Sequence, residues 1–307
     1  MSAAPAASGL VAAYSPIVVN RESRGSRSPL RIALFNAASG SRLDGIARCL
    51  SRAPLNRAAI ILLCEVDWRT RRTSGREVAA ELAAMLGMSF AYVPEFGLVD
   101  RAGAVRSYMG NAILSAEPFE EVRAVPLPDM GDLLPGRRGL PAGLITRANY
   151  GGAPVTVAVV HLHSRCSPAE RELQMRTFLA DFPERGPAIL GGDFNTTTME
   201  LRRPRAILGA ALYAAVAPAR FHAPQRFEPL FTHLDERGFE IDGVNARGCP
   251  TFTFARLVPP RLRPKLDWLA VRELSPVRDS AAVIPARPSA FSLRVSDHDF
   301  VVADVEL

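Results

Sequence analysis

The chain has 307 residues, with 37 Lys plus Arg against 31 Asp plus Glu and a formal net charge of +6. At 48 % hydrophobic and 22 % charged, it can bury a large core, which excludes wholesale disorder, a collagen-like repeat and a disulfide-dense miniprotein. No apolar run approaches the ~20 residues that span a bilayer.

Residues 1–29, rich in Ala, Ser, Gly and Arg, read as a flexible N-terminal arm that lacks the basic start of a secretory leader. LRIALFN (30–36) is a short buried strand. Leu43–Leu50 and Val78–Leu86 have the apolar spacing of amphipathic helices, and AAIILLCEV (58–66) between them is a second buried strand. GNAILS (110–115) is a strand that Pro118 stops. PVTVAVVHL (154–162) is another, and Pro168 opens a helix running to 182. AIL (188–190) leads into the loop GGDFN. Residues 202–229 carry Arg and Pro without a clear element, and the chain closes with the strands KLDWLAVREL (265–274) and FVVADVEL (300–307). Strands alternate with helices and no period repeats, so layers of helices over sheets are expected in one domain, 30–307.

Cys49, Cys64, Cys166 and Cys249 contain no CxxC pair, which argues against zinc or a disulfide framework and leaves a reducing, cytoplasmic location as the expectation. Lys265 is the only lysine, so the basic charge is almost wholly arginine. A guanidinium fork suits phosphate, but genome composition yields the same bias, and an excess of six charges permits a phosphate-bearing partner without demanding one.

The polar residues at the strand ends share a chemical theme. Asn36 ends the first strand, Glu65 the second and His161 the strand VAVVH; Asp193 and Asn195 lie in GGDFN, Asp267 in KLDW, and Asp297-His298 just before the last strand. Brought to one edge of a layered fold, such oxygen ligands suit Mg²⁺ or Mn²⁺, which hold one or two carboxylates and keep waters for phosphate. Singly, Glu65 also reads as a solvated residue past a strand, GDFN as a turn, and Asp297-His298 as a polar loop. His163, two residues after His161, shares its face if the strand continues and reads as a supporting or exposed residue.

Taken together and in order, RIALFN, ILLCEV, GNAILS, VAVVHL, GGDFN, KLDW and SDH resemble the endonuclease/exonuclease/phosphatase superfamily, which includes DNase I-like nucleases, neutral sphingomyelinases and inositol polyphosphate 5-phosphatases. The resemblance implies a four-layer α/β sandwich, two mainly antiparallel β-sheets packed face to face with helices outside. It implies a divalent metal, Mg²⁺ with Mn²⁺ as a substitute, held by Glu65 with Asn36 and Asp297. Asp193 and Asn195 would position the attacking water and bind phosphate, His298 would be polarised by Asp267, and His161 would donate to a phosphate oxygen. Asn111 would hydrogen-bond within the site. The reaction implied is in-line attack of water on a phosphodiester.

His161-Leu162-His163-Ser164 departs from the Tyr-x-Pro-Asn type sequence of the superfamily's abasic-site endonucleases. A nuclease or DNA-end-processing phosphodiesterase is the favoured expectation, with Arg69, Arg71, Arg72, Arg137 and Arg138 as candidates to line a groove. The alternatives are a phospholipid, sphingomyelin or inositol-phosphate phosphoesterase and, from a different class, a non-catalytic phosphate-binding scaffold. No aromatic–basic stripe for single strands stands out, and a monomer is expected.

Overall fold

The structure, a computed structural model, describes residues 15–99, 104–131, 137–202, 209, 216–217, 220, 223–253 and 263–307. Its strands are β1 (Ile17–Val19), β2 (Leu30–Ser39), β3 (Ile60–Trp68), β4 (Ser89–Val99), β5 (Val105–Ser115), β6 (Phe119–Pro126), β7 (Arg137–Arg138), β8 (Ala142–Tyr150), β9 (Ala153–Val159), β10 (Ala188–Asp193), β11 (Asp267–Arg272), β12 (Ser275–Pro276), β13 (Ala282–Ile284) and β14 (Phe300–Glu306). The helices named here are α1 (Leu43–Leu50), α2 (Val78–Leu86), α3 (Pro168–Ala180) and α4 (Leu230–Glu236). One sheet runs β1-β4-β5-β3-β2-β14-β12, with β13 also on β14 and β7 on β4; the other runs β11-β10-β9-β8-β6. Among the described residues only β2–β3 and β9–β10 pair in parallel.

Alternation along the strands decides the layers, because successive side chains point to opposite faces. Ala33, Phe35, Ile61 and Leu63 pack with Leu43 and Ile46 of α1 and Val78 and Leu82 of α2. Their neighbours Ile32, Leu34, Leu62 and Cys64 pack instead with Leu144, Val157, Ile189 and Leu269 of the other sheet. The outer face of that second sheet, through Ile145, Ala158 and Leu190, buries against Phe178 of α3 and Leu230 and Leu234 of α4. Each fully buried aliphatic of these layers contributes ~1.5–3 kcal/mol by leaving water. The outcome is helix, sheet, sheet, helix: the expected four-layer sandwich.

Several details differ from the sequence reading. Residues 1–14 of the expected arm lie outside the described residues, but 15–29 are attached rather than loose. Ile17–Val19 pairs with Tyr92, Ala91 and Phe90 on β4, Arg24 N donates to Ala116 O, and Ser26 N donates to Glu117. Strands β4, β6 and β8 emerge where none was expected; in β4 the apolar run is interrupted by Pro94, Glu95 and Gly97, which masks its period. The expected helix after Pro168 ends at Ala180, and its start is fixed by a capping box between Ser167 and Glu170. Of 202–229, most residues lie outside those described.

Candidate active site

Neither β2 nor β3 ends at its predicted polar residue; each continues past it through an irregularity. Asn36 pairs with Cys64, but the next pair is Ser39 with Val66, and β3 likewise breaks register with β5 between Leu63 and Val66. Glu65 sits in this bulge with φ 52°, a left-handed conformation that costs a residue with a Cβ roughly 1–3 kcal/mol. The bulge changes the parity of the strand: Leu63 and Val66 both pack on the helix side. Simple alternation would have turned Glu65 toward α1 and α2. Instead its carboxylate lies 3.2 Å from Asn36 Nδ2 and 3.9 Å from His161 Nε2.

Asp193 ends β10 at the centre of the group. Its Oδ2 accepts from Asn36 Nδ2 at 3.0 Å, and lies 3.9 Å from His161 Nε2 and 3.6 Å from His298 Nε2. Its Oδ1 accepts from the Asn195 backbone at 3.0 Å. Gly192 allows this approach, since a Cβ there would stand 1.8 Å from Val160 O. Asn195, at φ 49°, turns its amide to donate to Leu162 O at 2.8 Å, tying the GDFN loop to the segment of His161. That segment leaves the regular strand at Val159, yet Val160 N and Leu162 N still donate to Gly191 O and Asp193 O.

His298 completes the arrangement. Its Nδ1 meets Asp267 Oδ2 at 2.7 Å, with both residues buried. Asp267 is oriented by Thr251 Oγ1, which accepts from the Leu266 and Asp267 amides, while Phe252 packs its ring 4.8 Å from the imidazole. Burial works against a charged ring, but Asp267 and Asp193 outweigh it and hold His298 up at about 10. The Ser296 hydroxyl donates to Asn36 O at 2.8 Å, fastening the SDH turn to β2, and Asp297 beside it is exposed.

Sequence reading missed Glu95. It is buried in β4 at a second register shift, between Pro94 and Phe96, and its Oε2 lies 3.9 Å from His161 Nδ1 with no hydrogen-bond partner. Burial pushes its carboxyl up to about 7, against the opposing pull of His161 and Asn111. His161 is also shifted upward: burial lowers it, but Asp193, Glu95 and Glu65 raise it more. The signal available in sequence was one acidic residue inside an apolar run. Asn111, predicted in the site, is buried on β5 and donates to Ala142 O at 3.0 Å. His163 serves its own loop, its Nδ1 accepting from the Arg165 amide and its N–H donating to Gln174.

The Glu65 carboxylate and the Asn36 carboxamide beside it offer oxygens of the kind a hard cation takes. Asn36 Oδ1 already accepts from Ala38 N but keeps a second lone pair. Asp193, Asp267 and His298 also bring one donor atom each within 4.8 Å of one another, but both ring nitrogens of His298 already face carboxylates. Of the candidate groove arginines, Arg72 is clamped on Asp67 through two 2.6 Å bonds and Arg69 on Glu77 at 2.6 Å. The side chains of Arg137 and Arg138 lie outside the described residues.

A family model described as the endonuclease/exonuclease/phosphatase family matches residues 33–298. No curated protein matches the sequence. Among solved structures, an endonuclease/exonuclease/phosphatase from Beutenbergia cavernae is similar at 20 % identity and TM-score 0.60, covering 92 % of this chain and 72 % of that one. D. rerio TDP2 complexed with single strand DNA product is similar at 16 % identity and TM-score 0.58, covering 92 % of this chain and 100 % of that one. The human Nocturnin catalytic domain with bound sulfate is similar at 15 % identity and TM-score 0.56, covering 95 % and 96 %. These likenesses are of fold.

Proposed function

The chain belongs to the endonuclease/exonuclease/phosphatase family, and within it we propose a metal-dependent phosphodiesterase that hydrolyses nucleic acid or processes DNA ends. The observation that carries this reading is the convergence on Asp193 of two imidazoles, His161 and His298, each with a carboxylate behind it, Glu95 and Asp267. Such a cluster can accept a proton from water at one point and stabilise developing charge at another.

Asp193, fixed by the Asn36 amide and the Asn195 backbone, would orient and polarise the attacking water. His298 would exchange the proton, with Asp267 setting the tautomer so that Nε2 faces the reacting atoms. His161, held between Glu95 and Glu65, would donate to a non-bridging phosphate oxygen. Asn195 keeps the His161 segment in register with the GDFN loop, and its position beside Asp193 also suits phosphate binding; Asn111 would support the wall behind Glu95. Glu65, with Asn36 and Asp297 around it, would hold a divalent cation, Mg²⁺ or Mn²⁺. Such an ion supplies charge neutralisation at the phosphoryl and leaving oxygens. The net charge of +6 and the fold shared with a protein solved on single strand DNA product favour nucleic acid as the substrate.

The test is a side-by-side assay, with Mg²⁺ or Mn²⁺, on duplex DNA, single-stranded DNA, RNA, sphingomyelin and inositol phosphates. Nucleic-acid hydrolysis lost in His298→Ala is expected. Cleavage of lipid alone would overturn the substrate, and no turnover even on bis-p-nitrophenyl phosphate would favour a phosphate-binding scaffold.

A further inference from the structure

Beside the catalytic end lies a cleft of about 440 Å³ whose walls come from the start of α1 and from the loop between β13 and β14. Arg42 and Arg48 line one wall and Leu293 and Val295 the other. Arg76, also lining it, is engaged by Asp44 at 3.1 Å and Glu81 at 2.8 Å. Arg42 and Arg48 are exposed and form no ion pair with any described residue.

The facing loop is held at its base and presents an apolar tip. Val295 N donates to Ala286 O, Ala286 N donates to Asp299 Oδ1, and Arg52 donates to Pro288 O. Arg294 binds Asp299 at 2.6 Å and reaches His298 O at 3.1 Å, coupling the loop to the SDH turn. From this fixed base Phe291 projects with 100 % exposure and Leu293 with 63 %. A wholly exposed phenyl ring contributes nothing to the core, and here it stands on the loop that walls an arginine cleft.

We infer that this cleft and tip form a binding subsite for a single-stranded nucleic acid: Arg42 and Arg48 take a phosphate flanking the scissile one, and Phe291 stacks on an unpaired base. The inference deepens the phosphodiesterase reading by naming the substrate class. Charge complementarity selects the occupant, since two guanidinium forks match phosphate oxygens. An aromatic face accepts any base, so the subsite would discriminate strandedness rather than sequence. The loop wall adjoins the site, Val295 being the neighbour of Ser296, whose hydroxyl binds Asn36 O.

The test uses the full chain and a short fluorescein-labelled oligodeoxythymidine, with affinity read by anisotropy in the absence of divalent cation. Arg42→Ala, Arg48→Ala and Phe291→Ala should each weaken binding about tenfold, the low end for removing the platform of a stacked base. Each arginine variant should also flatten the salt dependence, by about 0.7 in log–log slope for every phosphate no longer neutralised. Arg147→Ala removes equal charge from β8 of the other sheet and should leave affinity within about twofold, as for an exposed surface charge. Parent-like binding by all three cleft variants overturns the inference. So does Phe291-dependent sedimentation with phosphatidylserine vesicles when oligonucleotide affinity is unmoved, which would assign the tip to a lipid surface. If the parent binds in a manner dependent on Arg42, Arg48 and Phe291 yet cleaves no phosphodiester, the catalytic reading fails and the subsite stands.

Discussion

His298 and Asp267, 31 positions apart in the chain, meet through a 2.7 Å contact between Nδ1 and Oδ2, and the far side of the imidazole faces Asp193 at 3.6 Å. The ring is thus held between two carboxylates in a buried setting. Asp267→Asn keeps the shape and removes one of those charges. The His298 titration, held at about 10 against the cost of burial, should then move down toward the ordinary imidazole range, as read by NMR of the ring Cε1–H. Turnover should fall by at least ~100-fold, the low end for acid–base catalysis. An unmoved titration would show that Asp267 does not set the ring's charge.

Glu65 offers a test of the proposed cation site that separates chemistry from backbone strain. Its left-handed φ of 52° is one that Asn adopts readily, so Glu65→Asn preserves the bulge while withdrawing the longer carboxylate. Chelation of the wild-type protein should abolish turnover, with Mg²⁺ or Mn²⁺ restoring it. Glu65→Asn and Glu65→Ala should both remain at least ~100-fold slower under saturating metal. Retention of most activity by either variant would remove Glu65 from the cation site.

Much of this site could be read from strand punctuation. Short apolar runs ending in Asn36 or Glu65, leading into Asp193, or preceded by Asp297-His298 signalled residues at one edge, because a buried strand has no reason to carry such groups along its length. What the pattern could not reveal was that β2 and β3 continue beyond Asn36 and Glu65, since a bulge leaves no mark on hydropathy. Nor could it pair β14 with β2 across some 270 positions, where Val301 meets Leu34, because register is a property of the closed sheet. Glu95 stayed hidden because an acidic residue after Pro94 reads as a loop; only its burial and the neighbouring β5 make it part of the site. Of the groove arginines, Arg72 could not be read from pattern alone, as Asp67, five residues before it, holds that guanidinium.

Glu95 is the carboxylate behind His161, as Asp267 is behind His298. Replacing it with Gln conserves volume but deletes a charge that, after Asp193, helps raise the His161 titration against burial. The His161 titration should therefore shift to lower pH in Glu95→Gln. Turnover should drop by at least ~10-fold, consistent with a ring that has lost part of its positioning. An unchanged His161 titration with parent activity would make Glu95 a structural residue only.

Arg171 of α3 and Glu228 form a fully buried ion pair with contacts of 2.6 and 3.0 Å. Arg171 also donates to Cys166 O at 2.6 Å, and Glu228 accepts from Thr198 N at 2.7 Å. The pair therefore joins the segment following His161 to the one following Asn195. Arg171→Met leaves a carboxylate buried without its partner and should cost ~3–5 kcal/mol of unfolding free energy in urea titrations. Arg171→Met combined with Glu228→Leu should recover part of that loss, because the desolvated charge is gone. A single variant as stable as the parent would mean that the pair does not brace these segments.

Lys265, the chain's only lysine, is buried two residues before Asp267, with its ammonium 3.2 Å from Ala246 O and 4.5 Å from the centroid of the Trp268 ring. Burial lowers its titration from 10.5 to about 8, against the opposing influence of Cys249 and Asp267. Between those two values the unfolded chain holds a proton that the native chain has released. Unfolding free energy from this residue must then rise with pH across that window, since stability increases wherever the unfolded state binds more protons. Lys265→Met lacks this term. The stability of the wild type relative to Lys265→Met should consequently increase from about pH 8 to pH 10.5, a comparison in which the tyrosines, cysteines and arginines common to both proteins cancel. Parallel stability curves over that interval would mean that Lys265 keeps its proton in the folded chain and that the carbonyl of Ala246 and the face of Trp268 suffice to hold the charge.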